Sequence, residues 1–337
     1  MVFRELISSL YSHTHKTVAT LTPDYFQIFY VSAVLNILYF GTWMLSAKIK
    51  DITLVNFLWG FSIAIQSIFY FYKSLNYTMF NFFSEKLSWE KLTFTSLVVA
   101  HGLSLSAYLI IREFSHGEDK RWARLRERVG HNFWWLSYFI VFIPTMAMNM
   151  LMGVLLYSFN HAEKSHINKV YYWIGISTML FGGLMGVLAD VQKFHFLSNK
   201  RNEGKVLDVG LWGISRHPNY FGNVVFWWGV YLVNYSAGIL WTVICPIIFS
   251  FLIMFLTGIP VVERLMLEEH GDRYREYQQR VPIFIPNPLT RSKIYPKREA
   301  GSGAPSSEKQ NQGQSSPYVQ PEQGQSQKQY QGQTREM

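Results

Sequence analysis

The stretch Gly210–Gly229, GLWGISRHPNYFGNVVFWWG, joins a short polar motif to a long aromatic and apolar run. Pro218 suits the first position of a helix, because its fixed φ angle and missing N–H group cost nothing there. Arg216 and His217 stand just before that position, and Asn219 follows it. The free N–H groups of a first helical turn favour anions. The stretch therefore predicts a membrane helix whose polar end is either a pocket for a phosphate-bearing cofactor or an interfacial belt.

The rest of the chain has the composition of an α-helical membrane protein. Of its 337 residues, 49% are hydrophobic and only 16% are charged, and the charges cluster between apolar runs. These runs predict an all-α polytopic bundle of about seven transmembrane helices. They lie near residues 25–47, 52–72, 92–111, 133–157, 171–191, 220–233 and 239–262.

The chain is organised as one membrane domain between two polar ends. Residues 1–24 carry Arg4 and Lys16 among Ser and Thr, which is typical of an amphipathic interfacial helix or of a mitochondrial targeting segment. Residues 25–288 form the predicted transmembrane domain. Residues 289–337 are rich in Gln, Gly, Ser and Pro, and they bury too little apolar surface to fold alone. A disordered tail is therefore expected there.

The net charge of +9 lies mostly in segments near the helix ends. Lys and Arg are frequent after the first, third, fifth and seventh spans, which places them all on one side, the cytoplasmic or equivalent side. No basic stripe with interleaved aromatics occurs in a soluble segment, so the charge indicates membrane topology and not nucleic-acid binding. The single Cys245 excludes an intramolecular disulfide and a metal site built from cysteines, and no metal is expected.

Polar residues from three separated segments are predicted to meet on the basic side. Lys and Arg supply hydrogen-bond donors for phosphates, carboxylates and amides suit ribose hydroxyls, and aromatic side chains suit flat rings. No Gly-rich phosphate loop occurs in a strand–turn–helix context, so a nucleotide would occupy a cavity between helices. The residues are Asp190, Lys193, Asp208, Arg216, His217, Asn219, Tyr220, Glu263, Tyr274 and Tyr277.

Each of these residues also has a simpler structural explanation. Asp190 can pair with Lys193, because the two lie one turn apart on a helix. Glu263 can pair with Arg264 or face lipid headgroups. Tyr274 and Tyr277 have the spacing of a packed helical face.

The motifs around these residues resemble a known family. GLWxxSRHPNYFGxxxxWWG at 210–229, ADVQKFHF at 189–196 and GEDKR at 117–121 resemble the membrane-embedded steroid 5-alpha-reductase C-terminal domain family. The ending at 263–286 resembles its E-x-x-L, G-x-x-Y-x-x-Y and V-x-x-x-I-P series. Sterol reductases and isoprenylcysteine carboxyl methyltransferases are more distant relatives of that family. The resemblance covers roughly residues 51–288.

This resemblance implies a bundle that binds NADPH on its cytoplasmic side and reduces a carbon–carbon double bond of a steroid or other lipid. A Tyr, a His or a carboxylic acid would supply the proton. Tyr108, one turn before Arg112, and Tyr220 are the candidate catalytic residues. The candidate cofactor-binding residues are Arg112, Asp190, Lys193, Asp208, Arg216, His217, Asn219, Tyr220, Asn223, Glu263 and Tyr274.

The chain departs from the reductase pattern at several positions. Asn223 stands where the reductases have Glu or Asp, and Leu197 stands where sterol reductases have Arg. His101 and Ser104 replace the Trp and Arg of a WG-x-R-L pattern. Charge-assisted hydrogen bonds contribute roughly 1.5–3 kcal/mol each, so these changes would weaken NADPH binding.

Three functions therefore stay open at this point. The first is an NADPH-dependent membrane reductase acting on a steroid or other lipid of the bilayer. The second is an accessory or structural subunit of a larger membrane complex that keeps the fold and has lost catalysis. The third is an S-adenosylmethionine-dependent methyltransferase of a lipid or a prenyl-cysteine. The resemblance implies the endoplasmic reticulum, and the N-terminal residues leave the mitochondrial inner membrane as the alternative.

Overall fold

The computed structural model describes residues 25–75, 88–116 and 119–290, and in these residues the chain is all-helical, without a β-strand. The predicted fold class is therefore confirmed. The predicted N-terminal segment and the predicted tail from residue 291 onward lie outside the described residues. The helices are α1 (Tyr25–Ile49), α2 (Leu54–Ser74), α3 (Trp89–His116), α4 (Lys120–Val129), α5 (Phe133–Ser137), α6 (Ile143–Asn160), α7 (Lys169–Ser198), α8 (Pro218–Ser236), α9 (Ile244–Phe251), α10 (Ile259–His270) and α11 (Asp272–Arg280).

Six helical stretches of the described residues are long and apolar enough to cross a membrane, as expected for a polytopic membrane protein. The sixth of the seven predicted spans, α8, is not among them, because Asn, Tyr and Trp lower its apolar character although it has 19 residues. It begins at Pro218, as the sequence predicts. The six stretches are Phe26–Ile49, Leu54–Ser74, Trp89–Ser115, Lys120–Asn160, Lys169–Ser198 and Trp241–His270.

Two segments predicted as charged loops contain helix. Asp119 caps α4 by accepting a hydrogen bond from the backbone N–H of Arg121 at 3.0 Å. The helix is amphipathic: Trp122 and Leu125 pack against the core, whereas Lys120, Arg124 and Arg128 are exposed. Helix α7 continues well past its predicted end near residue 191 and carries Lys193 within the helix. The apolar runs of the sequence do not reveal these two helical segments, because charged residues interrupt the apolar pattern there.

Glycines hold α7 and α8 in close contact. A Cβ atom at Gly182 would lie 2.5 Å from the backbone nitrogen of Phe226. One at Gly222 would lie 2.5 Å from the backbone nitrogen of Gly186. Small residues of this kind let helix backbones approach within a membrane, as the G-x-x-x-G spacing of Gly182 and Gly186 predicts.

A buried polar cluster joins α1, α2 and α6. The Asn149 amide nitrogen donates to the Tyr39 hydroxyl at 3.0 Å, and its oxygen accepts from Ser62 at 3.0 Å and Gln66 at 2.9 Å. Polar side chains that are paired in this way stabilise helix association where no water is present. This cluster therefore helps to hold α1, α2 and α6 together.

Contacts bring the basic segments to one end of the helical domain. The Lys50 ammonium group and the Arg126 guanidinium group lie 4.8 Å and 5.9 Å from the centre of the Trp134 ring. At the same end, Lys120 forms an ion pair with Glu269 of α10 at 2.6 Å. The predicted arrangement of basic segments on one side fits these contacts.

Gly222→Ala is expected to destabilise the protein, because the added methyl group would collide with the backbone of α7. Overpacking of this kind costs about 1–3 kcal/mol. The matched control is Gly41→Ala on α1, where an added Cβ meets no atom within 4 Å. Thermal unfolding of the purified protein in detergent measures both, and equal midpoints for the two variants would contradict the close α7–α8 contact.

Candidate functional site

The Glu263 carboxylate is the centre of a buried hydrogen-bond network. It accepts from the Arg216 Nε atom at 3.1 Å and from the Arg216 Nη2 atom at 3.0 Å. His217 Nε2, the Tyr274 hydroxyl and the Gln278 amide each lie 2.7 Å from one of its oxygens. A carboxylate offers about four lone-pair directions, so this group has its acceptor capacity filled. The network, which we call the Glu263 network, joins the start of α8 to α10 and α11.

The remaining donors of Arg216 are also bound within the protein. Its Nη1 atom donates to the backbone carbonyls of Gln278 at 2.8 Å and Val281 at 3.2 Å. Its backbone N–H donates to the carbonyl of Pro282 at 2.9 Å. The side chain is only 9% exposed. Arg216 therefore holds the segment after α11 against the loop before α8.

Burial determines the protonation of two members of this network. It lowers the pKa of His217, and the neighbouring Glu263 opposes that change without reversing it. The neutral imidazole donates from Nε2, because the carboxylate only accepts. Burial and then the charge of Glu263 raise the pKa of Tyr274, so its hydroxyl keeps its proton and donates. The negative charge of Glu263 is therefore matched by one cation, Arg216.

A cavity of about 410 Å³ lies beside this network, between α3, α7 and α8. Its size falls within the usual range of small-molecule sites. Its walls are mainly apolar. Within it, the Asn219 amide nitrogen donates to the Asp190 carboxylate at 3.0 Å, and His101 Nε2 lies 3.3 Å from the Asn223 amide oxygen. Its polar lining residues are His101, Ser104, Tyr108, Asp190, His195, Asn219 and Asn223.

Charged residues gather next to the cavity around Asp119. The Asp119 carboxylate forms ion pairs with Arg112 at 2.6 Å and Arg121 at 2.7 Å. Burial alone would raise the pKa of Asp119, but the two guanidinium groups outweigh it and hold the pKa below its usual range. The Arg121 Nη1 atom also lies 3.4 Å from the Tyr220 hydroxyl. We call Arg112, Asp119, Arg121 and Lys193 the charged rim.

Lys193 completes the charged rim from α7. Its ammonium group lies 5.1 Å from the centre of the Trp212 ring. It is close enough to Asp190, Arg112 and Asp119 to interact with them electrostatically. Three cations therefore stand near the Asp119 and Asp190 carboxylates, and Glu113 also interacts with Arg112 and Asp119. Clustered guanidinium and ammonium groups of this kind can bind an anionic ligand.

Comparison with protein families decides where the chain belongs. The family described as Protein of unknown function (DUF1295) matches residues 42–281, well over half of the chain. The chain belongs to this family. The match includes the cavity, the charged rim and the Glu263 network.

Among individual proteins of known function, the chain is similar to protein-S-isoprenylcysteine O-methyltransferase B of Arabidopsis thaliana. The two are 29% identical over 128 residues, which is 35% of this chain and 62% of that protein. The chain thus covers less than two thirds of its relative's length. No solved structure matches the chain.

The three segments predicted to meet do meet in this DUF1295 chain, but their residues divide between the cavity, the charged rim, the Glu263 network and a separate ion pair. Tyr108, Asp190, Asn219 and Asn223 line the cavity. Arg112 and Lys193 lie in the charged rim, and Tyr220 adjoins it. Arg216, His217, Glu263 and Tyr274 form the Glu263 network instead of lining the cavity. Asp208 pairs with Arg280 at 2.9 Å, also away from the cavity lining.

Asp119, Arg121 and His101 were not chosen as candidate site residues from the sequence. Asp119 and Arg121 belong to the GEDKR motif, which carried the family resemblance but was given no chemical role. His101 was noted only as a departure from the reductase pattern. The GEDKR motif could have indicated these two residues, because acidic and basic side chains that adjoin at a membrane boundary are typical of a charged site.

Glu263→Gln is expected to lower the free energy of unfolding by about 3–5 kcal/mol, because it leaves the buried Arg216 without a counter-charge. The matched control is Glu269→Gln, whose partner Lys120 is exposed and whose loss costs less than about 1 kcal/mol. Thermal unfolding in detergent compares the two. A Glu263→Gln protein as stable as the control would contradict a structural role for the network.

Acidification is expected to destabilise the protein through His217. Its folded pKa lies below the unfolded value of 6.5, so the unfolded chain takes up the proton first and stability falls as the pH drops below that value. Replacing it by Asn keeps a neutral donor and removes this dependence. Unfolding midpoints at pH 7.5 and 5.5 should converge for His217→Asn but not for His131→Asn, which changes an exposed residue. An unchanged pH dependence in both variants would contradict this account.

Proposed function

We propose that this protein is an integral membrane reductase that uses NADPH to reduce a carbon–carbon double bond of a steroid or other lipid. The observation that carries the proposal is the joining of a cationic rim to an apolar-walled cavity that contains Tyr108. The motifs around residues 117–121, 189–196 and 210–229 support the same activity by their resemblance to membrane-embedded reductases. We place the protein in the endoplasmic reticulum, with the mitochondrial inner membrane as the alternative.

The charged rim has the chemistry needed to hold the phosphates of a dinucleotide. Guanidinium groups match phosphate oxygens with two parallel donors, and an ammonium group adds a compact charge. Asp119 orients Arg112 and Arg121 by binding both, so less side-chain entropy is lost when an anion arrives. Asp190 and Asn219 offer an acceptor and an amide of the kind that bind ribose hydroxyls. The Glu263 network would support this arrangement from behind.

The cavity has the character of a lipid-binding site. Its polar atoms are few and its walls are mainly apolar, so an elongated apolar substrate would be removed from water on binding. NADPH, when bound, would supply a hydride to one alkene carbon. The chain's own task is then to orient the two molecules, exclude water and deliver a proton to the other carbon.

Tyr108 is the better placed of the two candidate proton donors. It lines the cavity, whereas the Tyr220 side chain lies at the charged rim with its hydroxyl near Arg121. Tyr108 lies near Asp190, whose charge opposes the phenolate left after proton transfer, and near Arg112, whose charge favours it. Tyr220 also stacks on His217, with ring centres 5.6 Å apart, and so links the rim to the Glu263 network. We assign proton donation to Tyr108 and positioning of the rim to Tyr220.

A second candidate is a methyltransferase that uses S-adenosylmethionine. It is favoured by the similarity to the Arabidopsis isoprenylcysteine methyltransferase over 128 residues. The same cavity would take the lipid, and Asp190 would suit the ribose of either cofactor. The two candidates differ in charge, because NADPH brings several phosphates to the rim and S-adenosylmethionine brings none.

Removal of a rim cation therefore separates the two activities. Lys193→Ala and Arg121→Ala are each expected to weaken NADPH binding at least tenfold, because each removes a charge-assisted contact to phosphate. The matched control is Lys200→Ala, which removes an exposed lysine from the same end of the molecule. Isothermal titration of the purified full-length protein in detergent measures each affinity.

Each result of that titration has a definite meaning. NADPH binding that is equal in the control and the rim variants would contradict the proposed site. Binding of S-adenosylmethionine but not NADPH would favour the methyltransferase. Binding of neither cofactor, together with stable co-purification in a large membrane complex, would favour the accessory subunit.

A further inference from the structure

The cavity is open toward the lipid-facing surface of the helical domain. Ile111 of α3, and Val187 and Val191 of α7, line it and are 51%, 39% and 44% exposed. Exposed apolar side chains on membrane helices face lipid tails. An apolar ligand would therefore reach the cavity from within the bilayer, between α3 and α7.

Inside, the polar atoms of the cavity lie at two levels. Tyr108, Asp190 and Asn219 form the outer level, next to the charged rim. His101 and Asn223 form the inner level, deeper in the bundle. His101 precedes Tyr108 by about two helical turns on α3, which separates the levels by about 10 Å along that helix.

The side chains of the inner level carry hydrogen-bonding groups but no acidic group. His101 lies flat on the Phe226 ring at a centroid distance of 3.8 Å, and this contact fixes the imidazole. The His101 imidazole forms a hydrogen bond with the Asn223 amide oxygen, and this contact orients the amide group. The amide N–H groups of Asn223 have no hydrogen-bond partner among the described residues. Ser104, also in the lining, adds a hydroxyl oxygen that can accept. The inner level thus presents a donor and an acceptor, which together complement an alcohol.

We infer that the cavity selects an elongated apolar ligand with a hydroxyl group at its inner end, about 10 Å from the end that lies beside Tyr108. Asn223 is the specificity-determining residue, and its amide N–H donates to the hydroxyl oxygen. His101 is a positioning residue that holds the amide. The inference rests on the proposed function for the reaction at the outer level, but it concerns binding at the inner level.

Two rigid enones test this inference. Testosterone has a hydroxyl group at the end opposite its enone, and androst-4-en-3-one lacks that group. Equilibrium dialysis of each radiolabelled steroid against the purified full-length protein, in detergent and without nucleotide, gives the two dissociation constants. Testosterone is expected to bind about tenfold more tightly, because one neutral hydrogen bond is gained in a water-poor site. Asn223→Leu is expected to reduce this preference to less than about twofold.

The matched control is Asn36→Leu, the same replacement at an exposed position on α1, which should keep the full preference. If Asn223→Leu does not fold, Ser104→Ala replaces it and is expected to reduce the preference as well. Equal binding of the two steroids by the native protein, binding of neither, or a preference that survives the cavity variant would each overturn the inference. NADPH affinity is measured separately, so its absence would contradict the proposed reductase without altering the dialysis result.

Discussion

The Glu263 carboxylate is the constraint on which the basic end of this molecule depends. A carboxylate in a buried position is stable only when its hydrogen-bonding capacity is filled and its charge is matched. Here Arg216 matches the charge, and His217, Tyr274 and Gln278 fill the capacity. Because these donors come from the start of α8 and from α11, satisfying one carboxylate fixes the position of both. His217 in turn stacks on Tyr220, so the same constraint extends to the charged rim.

The contact between α7 and α8 determines the shape of the cavity beside the Glu263 network. The backbones of α7 and α8 approach closely at Gly182 and Gly222, and near this contact the Asn219 amide donates a hydrogen bond to Asp190. Helix α3 stands beside this pair and contributes Tyr108 and His101 to the cavity wall. The cavity is thus bounded on one side by the close pair α7 and α8 and on the other by α3, and exposed apolar side chains line its mouth. Such a site combines polar side chains on closely packed helices with an apolar entrance for the ligand.

Much of this arrangement could be predicted from the sequence, because membrane helices are recognised from local composition. The apolar runs predicted the helices, and Pro218 predicted where α8 begins. The role of Arg216 could not be read locally, since its partners lie on α10 and beyond α11. A phosphate-binding arginine and an arginine committed to a buried carboxylate look alike in a sequence. Helix α4 was missed for a related reason, because its stability comes from packing of Trp122 and Leu125 and not from apolar content.

The segment after α11 has a consequence for how the protein matures. Backbone hydrogen bonds join Arg216 to Pro282 and Ile214 to Asn287, each at 2.9 Å, and the Ser215 hydroxyl donates to the carbonyl of Phe284 at 2.7 Å. The loop that precedes α8 is thus hydrogen-bonded to residues that lie about 70 positions later in the chain and are synthesised after it. During synthesis α8 is complete while its polar end still lacks these partners. The loop can therefore form its final hydrogen bonds only after residue 287 has been synthesised.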